Sequence, residues 1–555
     1  DPLMTNFSRT SAPCSTPKYK QQFSVVKIAL LSRVAILIIQ VVSNFLIPDH
    51  DADVFNPPND PASVSSTGEK VVELIFGGFK RWDAVYFQHV AEYGYSYENT
   101  LAFFPLFPVL TRLIGNTILL PFQWLMSYSS VLMLSAFLLN NFLFIKSAEI
   151  LHKLGLKVLN EEQLAYKAAV VFCFNPASVF FSAPYSESLY CFLLLTCLHT
   201  MTAESPIVPA FFVGLAALAR SNGLVAFGFI LHYIIKDYLK EMQMNSKARL
   251  SSTDSRIINT VITFFTTAKL IFVCLLSFLP FLVYQYYSYF LFCKNEPSSK
   301  IPNHIAIYGR SRGYHLLGDA PSPWCYDVIP LSYSYIQKHH WNVGFLAYYE
   351  INQIPNFLLA APIVVIGVCS CVCYFSLNKK TCYTLRLFDT RAESRKKSDG
   401  DEIEQDYGFK NRELFVYCAH LLFLILFGVF FIHIQVLTRL LCSSSPVIYW
   451  YIAYLITDKL KPAQTINRYN VFAAYKSEVK KEQNENSVQT INRYNVFAAY
   501  KSDVKKEHNE NSVDDIVTQL TNFRQQNIYF KLITVYFIGY FVLGTVAFSN
   551  FLPFT

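Results

Sequence analysis

The chain has 555 residues, of which 53% are hydrophobic and 15% are charged. Globular domains usually carry about a quarter charged residues, so this composition excludes an ordinary soluble enzyme. The net charge of +8 is concentrated in a few loops, which is typical of cytoplasmic connections between spans and not of a nucleic-acid-binding protein. The apolar residues fall in blocks of about 20, long enough for a helix to cross the hydrocarbon core. The sequence therefore predicts an all-α polytopic membrane protein.

The N-terminal part contains one predicted span and then a long polar loop. The span covers about residues 25–47, and the lysines before it place residues 1–23 in the cytosol as a leader. The stretch 48–123 then forms a first lumenal loop, whose proline-broken apolar part is expected to lie as helices at the membrane interface. Further spans are predicted at about 124–145, 164–182 and 189–201.

A polar break, Arg220-Ser221-Asn222-Gly223, interrupts the next apolar run at 207–235. Two short helices meeting near the lumenal face would return the chain to the cytosol at the basic stretch 236–256. One continuous span would place that basic stretch in the lumen, against the usual charge distribution. The pattern therefore predicts a broken hairpin.

The remaining spans complete a transmembrane catalytic core over residues 24–457. Spans at 262–292 and 357–375 enclose a second lumenal loop, residues 293–355. Those at 414–434, 448–456 and 528–548 bring the predicted total to about eleven. The last one, with its tail, occupies residues 528–555 and ends in the lumen.

A tandem duplication occupies the predicted cytosolic loop 458–527. Its two 25-residue copies span residues 464–488 and 489–513. They differ at two positions, Glu478/Asp503 and Gln483/His508. Two nearly identical polar copies indicate a recent duplication in a loop that accepts insertions, because solenoids need at least three packed repeats. We expect the loop to have no catalytic role.

The first lumenal loop carries the residues with the clearest chemistry. It contains RWDAVYF at 81–87, AEYGY at 91–95 and AFFPLFP at 102–108. Asp83, beside Trp82, could act as the general base for a sugar hydroxyl, because partial burial raises the pKa of a carboxyl group. An interfacial tryptophan next to an ordinary loop acid is the alternative, and the residues alone leave both open.

Four further blocks accompany these motifs: FNPASVFFSAPYSESLY at 174–190, LARSNGL at 218–224, PWCYDVIPLSYSYIQKHHWNVGFLAYYEINQIPNFLLAAP at 323–362, and TRLLCSSSPVIYW at 438–450. In this order the blocks closely resemble the GPI mannosyltransferase 2 family, of PIG-V type. The resemblance covers nearly all of the chain outside the leader and the duplicated loop. The duplicated loop departs from the family pattern and leaves its own boundaries open.

The resemblance implies a GT-C-like bundle and a multi-pass enzyme of the endoplasmic reticulum membrane. The enzyme would transfer the second mannose, α1,6-linked, from dolichol-phosphate-mannose to a GPI precursor. In related lipid-dependent transferases the catalytic acid lies in the first lumenal loop, which corresponds here to Asp83. Formation of an α-glycoside from a β-linked phosphate donor inverts the anomeric carbon. One carboxylate therefore suffices as base, and the phosphate leaves without a second acid.

No cofactor is firmly implied by the resemblance, and the sequence leaves dependence on a divalent metal open. No zinc motif or Walker-type phosphate loop occurs in the sequence. The expected partners are lipids of the endoplasmic reticulum membrane, the two lipid-linked substrates and, as a further candidate, a small membrane-protein subunit. No nucleic-acid partner is expected.

Six other residues are candidates for binding the substrates. Arg220 and Arg439 lie in polar breaks near the predicted lumenal face, where a guanidinium suits phosphate oxygens or else caps a helix or pairs with an acid. Glu187 is a candidate for the acceptor hydroxyls, or is an acid favoured at the start of a helix. His339, His340 and Trp341 either line the sugar pocket or belong to an interfacial belt.

A transporter or lipid flippase is the main alternative, since it also has many spans with polar breaks. Transporters usually show symmetry between halves, which this sequence lacks, and their polar residues lie at mid-membrane. Here the polar residues cluster in two large lumenal loops. We therefore favour the transferase.

Cys293 and Cys325 both lie in the second lumenal loop. The lumen of the endoplasmic reticulum is oxidising, so two cysteines in one exposed loop have a reason to pair. We predict a disulfide between them, and two free thiols are the alternative.

Overall fold

The structure is a computed structural model that describes residues 17–61, 66–203, 205–247, 252–294, 301–388, 407–458 and 528–552. Both copies of the duplication and most of the predicted leader lie outside these residues. Within them the regular secondary structure is helical, apart from one isolated antiparallel bridge between Tyr97 and Leu316. The predicted all-α class is confirmed for this part of the chain.

The α-helices of the described residues alternate with short 3-10 turns. In chain order they are α1 Pro17–Leu46, α2 Thr67–Phe76, α3 Asp83–Tyr93, α4 Leu106–Asn116, α5 Tyr128–Leu159, α6 Glu162–Cys173, α7 Glu187–Thr200, α8 Ile207–Ala219, α9 Phe227–Lys247 and α10 Ser252–Cys293. They continue as α11 Asn303–Ser311, α12 Ser332–Trp341, α13 Ile354–Leu377, α14 Lys379–Tyr383, α15 Phe415–Phe431, α16 Leu437–Ser444, α17 Pro446–Asp458, α18 Ile528–Gly539 and α19 Thr545–Ser549.

Within the described ranges, six helices are long and apolar enough to cross a membrane: Gln21–Leu46, Tyr128–Leu159, Thr253–Cys293, Ile351–Leu377, Arg412–Phe431 and Ile528–Ser549. A bent pair, Ile434–Ser444 with Pro446–Thr457, makes a seventh if it is one span. The predicted total of about eleven is not confirmed. Helices α6, α7 and α8 have 12, 14 and 13 residues and rise about 18–21 Å, less than the thickness of the hydrocarbon core. Helix α9 has 21 residues, but the charged side chains in its second half keep it out of this set.

Helix α5 is longer than the sequence predicted. It runs on to Leu159, past the predicted end of this span at about residue 145. The extension buries its apolar side chains, including Leu151, Leu154 and Leu159, and packing of this kind supplies most of the stability of a helix. Glu149 adds pairs with Lys146 at 3.1 Å and Lys153 at 2.7 Å, both at helical spacing. Gln22 of α1 also donates to Glu149, so this end of α5 is held against α1.

The predicted break after α8 is present, and the chain reverses direction there. Helix α8 ends at Ala219, and a 3-10 turn, Ser221–Ala226, leads into α9. Both helices pack on α10. Along α8 the contacted residues of α10 increase in residue number, and along α9 they decrease. These contacts are Ser277 with Ala210, Pro280 with Gly214, Lys269 with Asp237, and Asn259 with Asn245. The two helices therefore form the hairpin that the charge pattern predicts.

An irregular turn, residues 174–186, joins α6 to α7 in the middle of the bundle. The sequence predicted a span at 164–182, but α6 ends at Cys173 because Asn175-Pro176 follows and proline cannot continue the helix. The side-chain amide of Asn140 on α5 donates to the carbonyl oxygens of Ala183 and Tyr185. The 174–186 turn thus replaces its missing helical hydrogen bonds with bonds to α5.

The two predicted lumenal loops pack against each other. The Tyr97–Leu316 bridge joins them, and the indole N–H of Trp324 donates to Glu98 at 2.7 Å. Trp324 is fully buried, and Glu98 is 3% exposed. These contacts fix the position of the segment that leads into α12.

Candidate functional site

Asp83 is the first residue of α3, and it follows a residue with a strained backbone. Trp82 has φ 54° and ψ −128°, a conformation that costs a bulky residue of order 1–3 kcal/mol. This conformation turns the chain sharply into α3 and leaves Asp83 at the positive end of the helix dipole. The indole of Trp82 packs edge-on against Phe551, with ring centres 5.7 Å apart.

Arg439 of α16 joins two acids that are distant in the sequence. One of its terminal nitrogens lies 2.8 Å from Oδ2 of Asp83, and the other lies 3.7 Å from Oε1 of Glu187. Arg220, at the break after α8, donates a hydrogen bond to the same oxygen of Glu187. Asp83, Arg439, Glu187 and Arg220 therefore form a line of alternating charges, which we call the charge row.

The charge row is buried at its centre and more open at its Asp83 end. The side chains of Glu187, Arg439, Arg220 and Asp83 are 0%, 13%, 17% and 31% exposed. Within the described residues, Oε2 of Glu187 and Nε of Arg439 are buried without a hydrogen-bond partner. Buried polar atoms normally find partners, so these two atoms favour a site that takes up a polar ligand.

Aromatic rings of the 174–186 turn hold Arg439 in place. Its guanidinium carbon lies 5.5 Å from the ring centre of Phe180 and 5.4 Å from that of Tyr185, within cation–π range. The backbone N–H of Asp83 donates to the hydroxyl of Tyr185 at 3.1 Å. One tyrosine thus touches both the base candidate and its arginine partner, a role that the sequence analysis did not assign to it.

Trp341, the last residue of α12, reaches the aromatic side chains next to Asp83. Its ring centre lies 6.4 Å from Tyr86, which is three residues after Asp83 on α3, and 6.0 Å from Phe103. Burial raises the pKa of Tyr86, and Tyr314 and Asp83 add to the effect. The structure therefore places Trp341 on the side of the site where α3 begins.

His339 and His340 are exposed on the same helix. The ring of His339 lies 4.2 Å from Tyr335, and that of His340 lies 5.9 Å from Trp341. The structure does not bring these two histidines into the charge row. Their role in sugar binding stays a prediction.

Cys293, at the end of α10, and Cys325 form a disulfide, with Cα atoms 5.5 Å apart. Cys325 follows the buried Trp324, so the bridge ties the second loop to α10 beside the Trp324–Glu98 contact. Among the described residues, no three His, Cys, Asp or Glu side chains lie close enough together to hold a metal ion.

The charge row offers two kinds of chemistry side by side. A half-exposed carboxylate at Asp83 could accept a proton from a hydroxyl group, and two guanidinium groups could bind anionic oxygens. Four polar residues from four separate parts of the chain converge here, a contact that the sequence pattern does not predict. Their convergence is the property expected of a functional site.

Comparisons with known proteins identify the family. The family model described as Mannosyltransferase (PIG-V) matches residues 21–555. The chain is 35% identical to GPI alpha-1,6-mannosyltransferase 2 of Rattus norvegicus, over 96% of this chain and 99% of the relative. It is 36% identical to the Homo sapiens protein of that name, over 80% of this chain and 86% of the relative. No solved structure matches the chain. The chain therefore belongs to the PIG-V mannosyltransferase family.

Proposed function

We propose that the chain transfers mannose from dolichol-phosphate-mannose to a GPI precursor, forming the α1,6 linkage of the second mannose. The reaction takes place on the lumenal side of the endoplasmic reticulum membrane and inverts the anomeric carbon. The names of the rat and human relatives support the linkage and the acceptor. The observation that carries the proposal is the ion pair between Asp83 and Arg439, which joins a candidate base to a candidate phosphate ligand.

Asp83 acts as the general base. Its carboxylate takes the proton from the attacking hydroxyl of the acceptor while that oxygen bonds to the anomeric carbon of the donor. The bond from that carbon to the phosphate oxygen breaks on the opposite face, so a β-linked donor gives an α-linked product. Phosphate is a good leaving group, so no second carboxylic acid is needed.

Arg439 and Arg220 stabilise the phosphate that leaves. A guanidinium presents paired N–H donors that match phosphate oxygens, and in a buried site such contacts are worth more than in water. The buried Nε of Arg439 is one donor that has no partner within the described residues. Glu187 lies between the two guanidinium groups, balances their charge and fixes their spacing. It is also the candidate for binding an acceptor hydroxyl.

The test is transfer by the purified chain reconstituted in liposomes. Labelled dolichol-phosphate-mannose is supplied with a GPI precursor that already carries one mannose, and an α1,6-specific mannosidase identifies the product. We expect a product with one additional mannose that the mannosidase removes. Transfer from a nucleotide-linked mannose, or a product that resists the mannosidase, would contradict the proposed donor or linkage.

A second measurement separates the transferase from a transporter or flippase. The same liposomes report whether labelled dolichol-phosphate-mannose crosses the bilayer without acceptor. We expect no protein-dependent crossing. Crossing without transfer would show that the charge row serves transport.

A further inference from the structure

Arg33 lies in the middle of α1, inside the span Gln21–Leu46, and is 3% exposed. One terminal nitrogen of its guanidinium donates to the carbonyl oxygen of Ser178 at 2.8 Å and to the hydroxyl of Ser182 at 3.2 Å. The other donates to the hydroxyl of Ser178 at 3.0 Å and to the carbonyl oxygen of Cys173 at 3.4 Å. The guanidinium carbon also lies over the ring of Phe144, 3.7 Å from the ring centre. Arg33 therefore clamps the start of the 174–186 turn.

A charged group in this position is costly. Arginine in the middle of a span is rare, and it is usually paired with an acid or lines a functional path. Among the ion pairs of the described residues, none joins Arg33 to a carboxylate. An apolar side chain would fill this position without the cost of burying a charge. Nε of Arg33 donates to the hydroxyl of Ser32 on α1 at 3.3 Å, and both terminal nitrogens are turned to oxygens at the end of α6 and in the turn. Holding the turn against α1 is therefore what Arg33 does here.

The clamped turn carries the two rings that hold Arg439. Ser178 begins the 3-10 helix Ser178–Phe181, which includes Phe180. The ring of Phe180 lies 5.0 Å from that of Tyr185, and both rings contact the guanidinium of Arg439. A shift of the turn would move both rings together. It would also move the hydroxyl that accepts the hydrogen bond from Asp83.

We propose that Arg33 is a positioning residue for the donor side of the reaction. It fixes the 174–186 turn so that Phe180 and Tyr185 hold Arg439 and Asp83 in the positions that the reaction needs. The inference rests on the proposed function, because it needs Arg439 to bind the donor phosphate. A residue needed for folding alone would affect both substrates alike, whereas this role of Arg33 concerns the donor. Loss of the clamp raises the KM for the donor and lowers kcat, while the KM for the acceptor stays unchanged.

The experiment compares Arg33→Lys and Arg33→Met with wild type in the liposome assay, varying donor and acceptor separately. Lysine keeps the positive charge but cannot reach four oxygens at once, because it lacks the planar fork of arginine. We expect Arg33→Lys to raise the donor KM roughly tenfold, the loss typical of one or two buried hydrogen bonds, with acceptor KM within about twofold of wild type. Arg33→Met should raise the donor KM further. If it does not accumulate, the lysine variant carries the test.

Ser24→Ala is the matched control. Ser24 lies on the same helix, and its hydroxyl is hydrogen-bonded to Tyr166 of α6 at 3.0 Å, away from the turn. We expect both KM values of this variant to match wild type. Equal changes in both KM values of Arg33→Lys, or unchanged KM values with only less folded protein, would overturn the inference. These outcomes are distinct from failure of the proposed function. If the proposed function fails, the wild type itself shows no transfer, and the inference fails with it.

Discussion

Arg439 joins Asp83 to Glu187, since its two terminal nitrogens lie 2.8 Å from the first carboxylate and 3.7 Å from the second. In this ion pair the carboxylate of Asp83 is held by a guanidinium and is not free to approach a hydroxyl group. In the proposed reaction a donor phosphate would compete with Asp83 for the same nitrogens of Arg439. The arrival of the donor would then release Asp83.

The first prediction ranks the two arginines. Arg439→Lys should lower kcat/KM for the donor by about a hundredfold, because lysine cannot bridge two acids and a phosphate. Arg220→Lys should cost less, because Arg220 contacts Glu187 and not Asp83. Steady-state kinetics with varied donor measures both losses. A larger loss for Arg220→Lys would indicate that the phosphate binds nearer to the break after α8 than proposed.

The second prediction concerns the stability of the charge row. Glu187 is 0% exposed between two guanidinium groups, so Glu187→Gln removes the carboxylate that Arg220 pairs with and leaves Arg439 paired with Asp83. Removal of one partner from a buried ion pair typically costs about 3–5 kcal/mol. We expect a lower unfolding temperature in detergent, with partial recovery in the Glu187→Gln/Arg220→Gln double variant. An unfolding temperature equal to wild type in the single variant would contradict this account.

The third prediction concerns pH and His89. Burial, with a smaller contribution from His304, lowers the pKa of His89 from 6.5 to about 3. The folded protein keeps this ring neutral while the unfolded chain takes up a proton below about 6.5. Stability therefore falls as the pH drops from about 6.5 toward 3, by about 1.4 kcal/mol for each pH unit.

Thermal unfolding at pH 7 and pH 4.5 measures the effect. The His89→Phe variant should lose less stability over this interval than wild type. His339→Gln, at an exposed position, is the control and should follow wild type. An equal loss in wild type and His89→Phe would show that other groups control the acid response.

The fourth prediction concerns the duplication, which lies outside the described residues. Deletion of residues 489–513 should leave transfer nearly intact, because the remaining copy has almost the same sequence and the loop is predicted to lie opposite the site. Transfer per amount of folded protein is the measurement. A large loss at an unchanged protein level would show that the loop takes part in the reaction or binds a partner.

The sequence predicted the helical class and the break at Arg220, because apolar blocks and polar interruptions are local signals. It did not predict the number of spans, since α6 and α7 are apolar blocks that stop short of a full crossing. It also missed the helical continuation of α5, where the buried side chains Leu151, Leu154 and Leu159 alternate with lysines.

The four members of the charge row were each selected from motifs, yet their contact was not predictable. Asp83 and Arg439 are far apart in the sequence, and only the folded chain brings the start of α3 and Arg439 of α16 together. Arg33 lies inside a predicted span, where arginine is rare, but the sequence does not show which residues it contacts. Its hydrogen bonds to the 174–186 turn are visible only in the folded chain.

The most direct test of the account is mannose transfer by Asp83→Asn, compared with wild type at equal protein level in the same membranes. Asparagine keeps the size of the side chain but cannot take up a proton at neutral pH. We predict that transfer from dolichol-phosphate-mannose is abolished while the variant still accumulates in the membrane. Transfer at the wild-type rate would remove Asp83 from the mechanism and contradict the account.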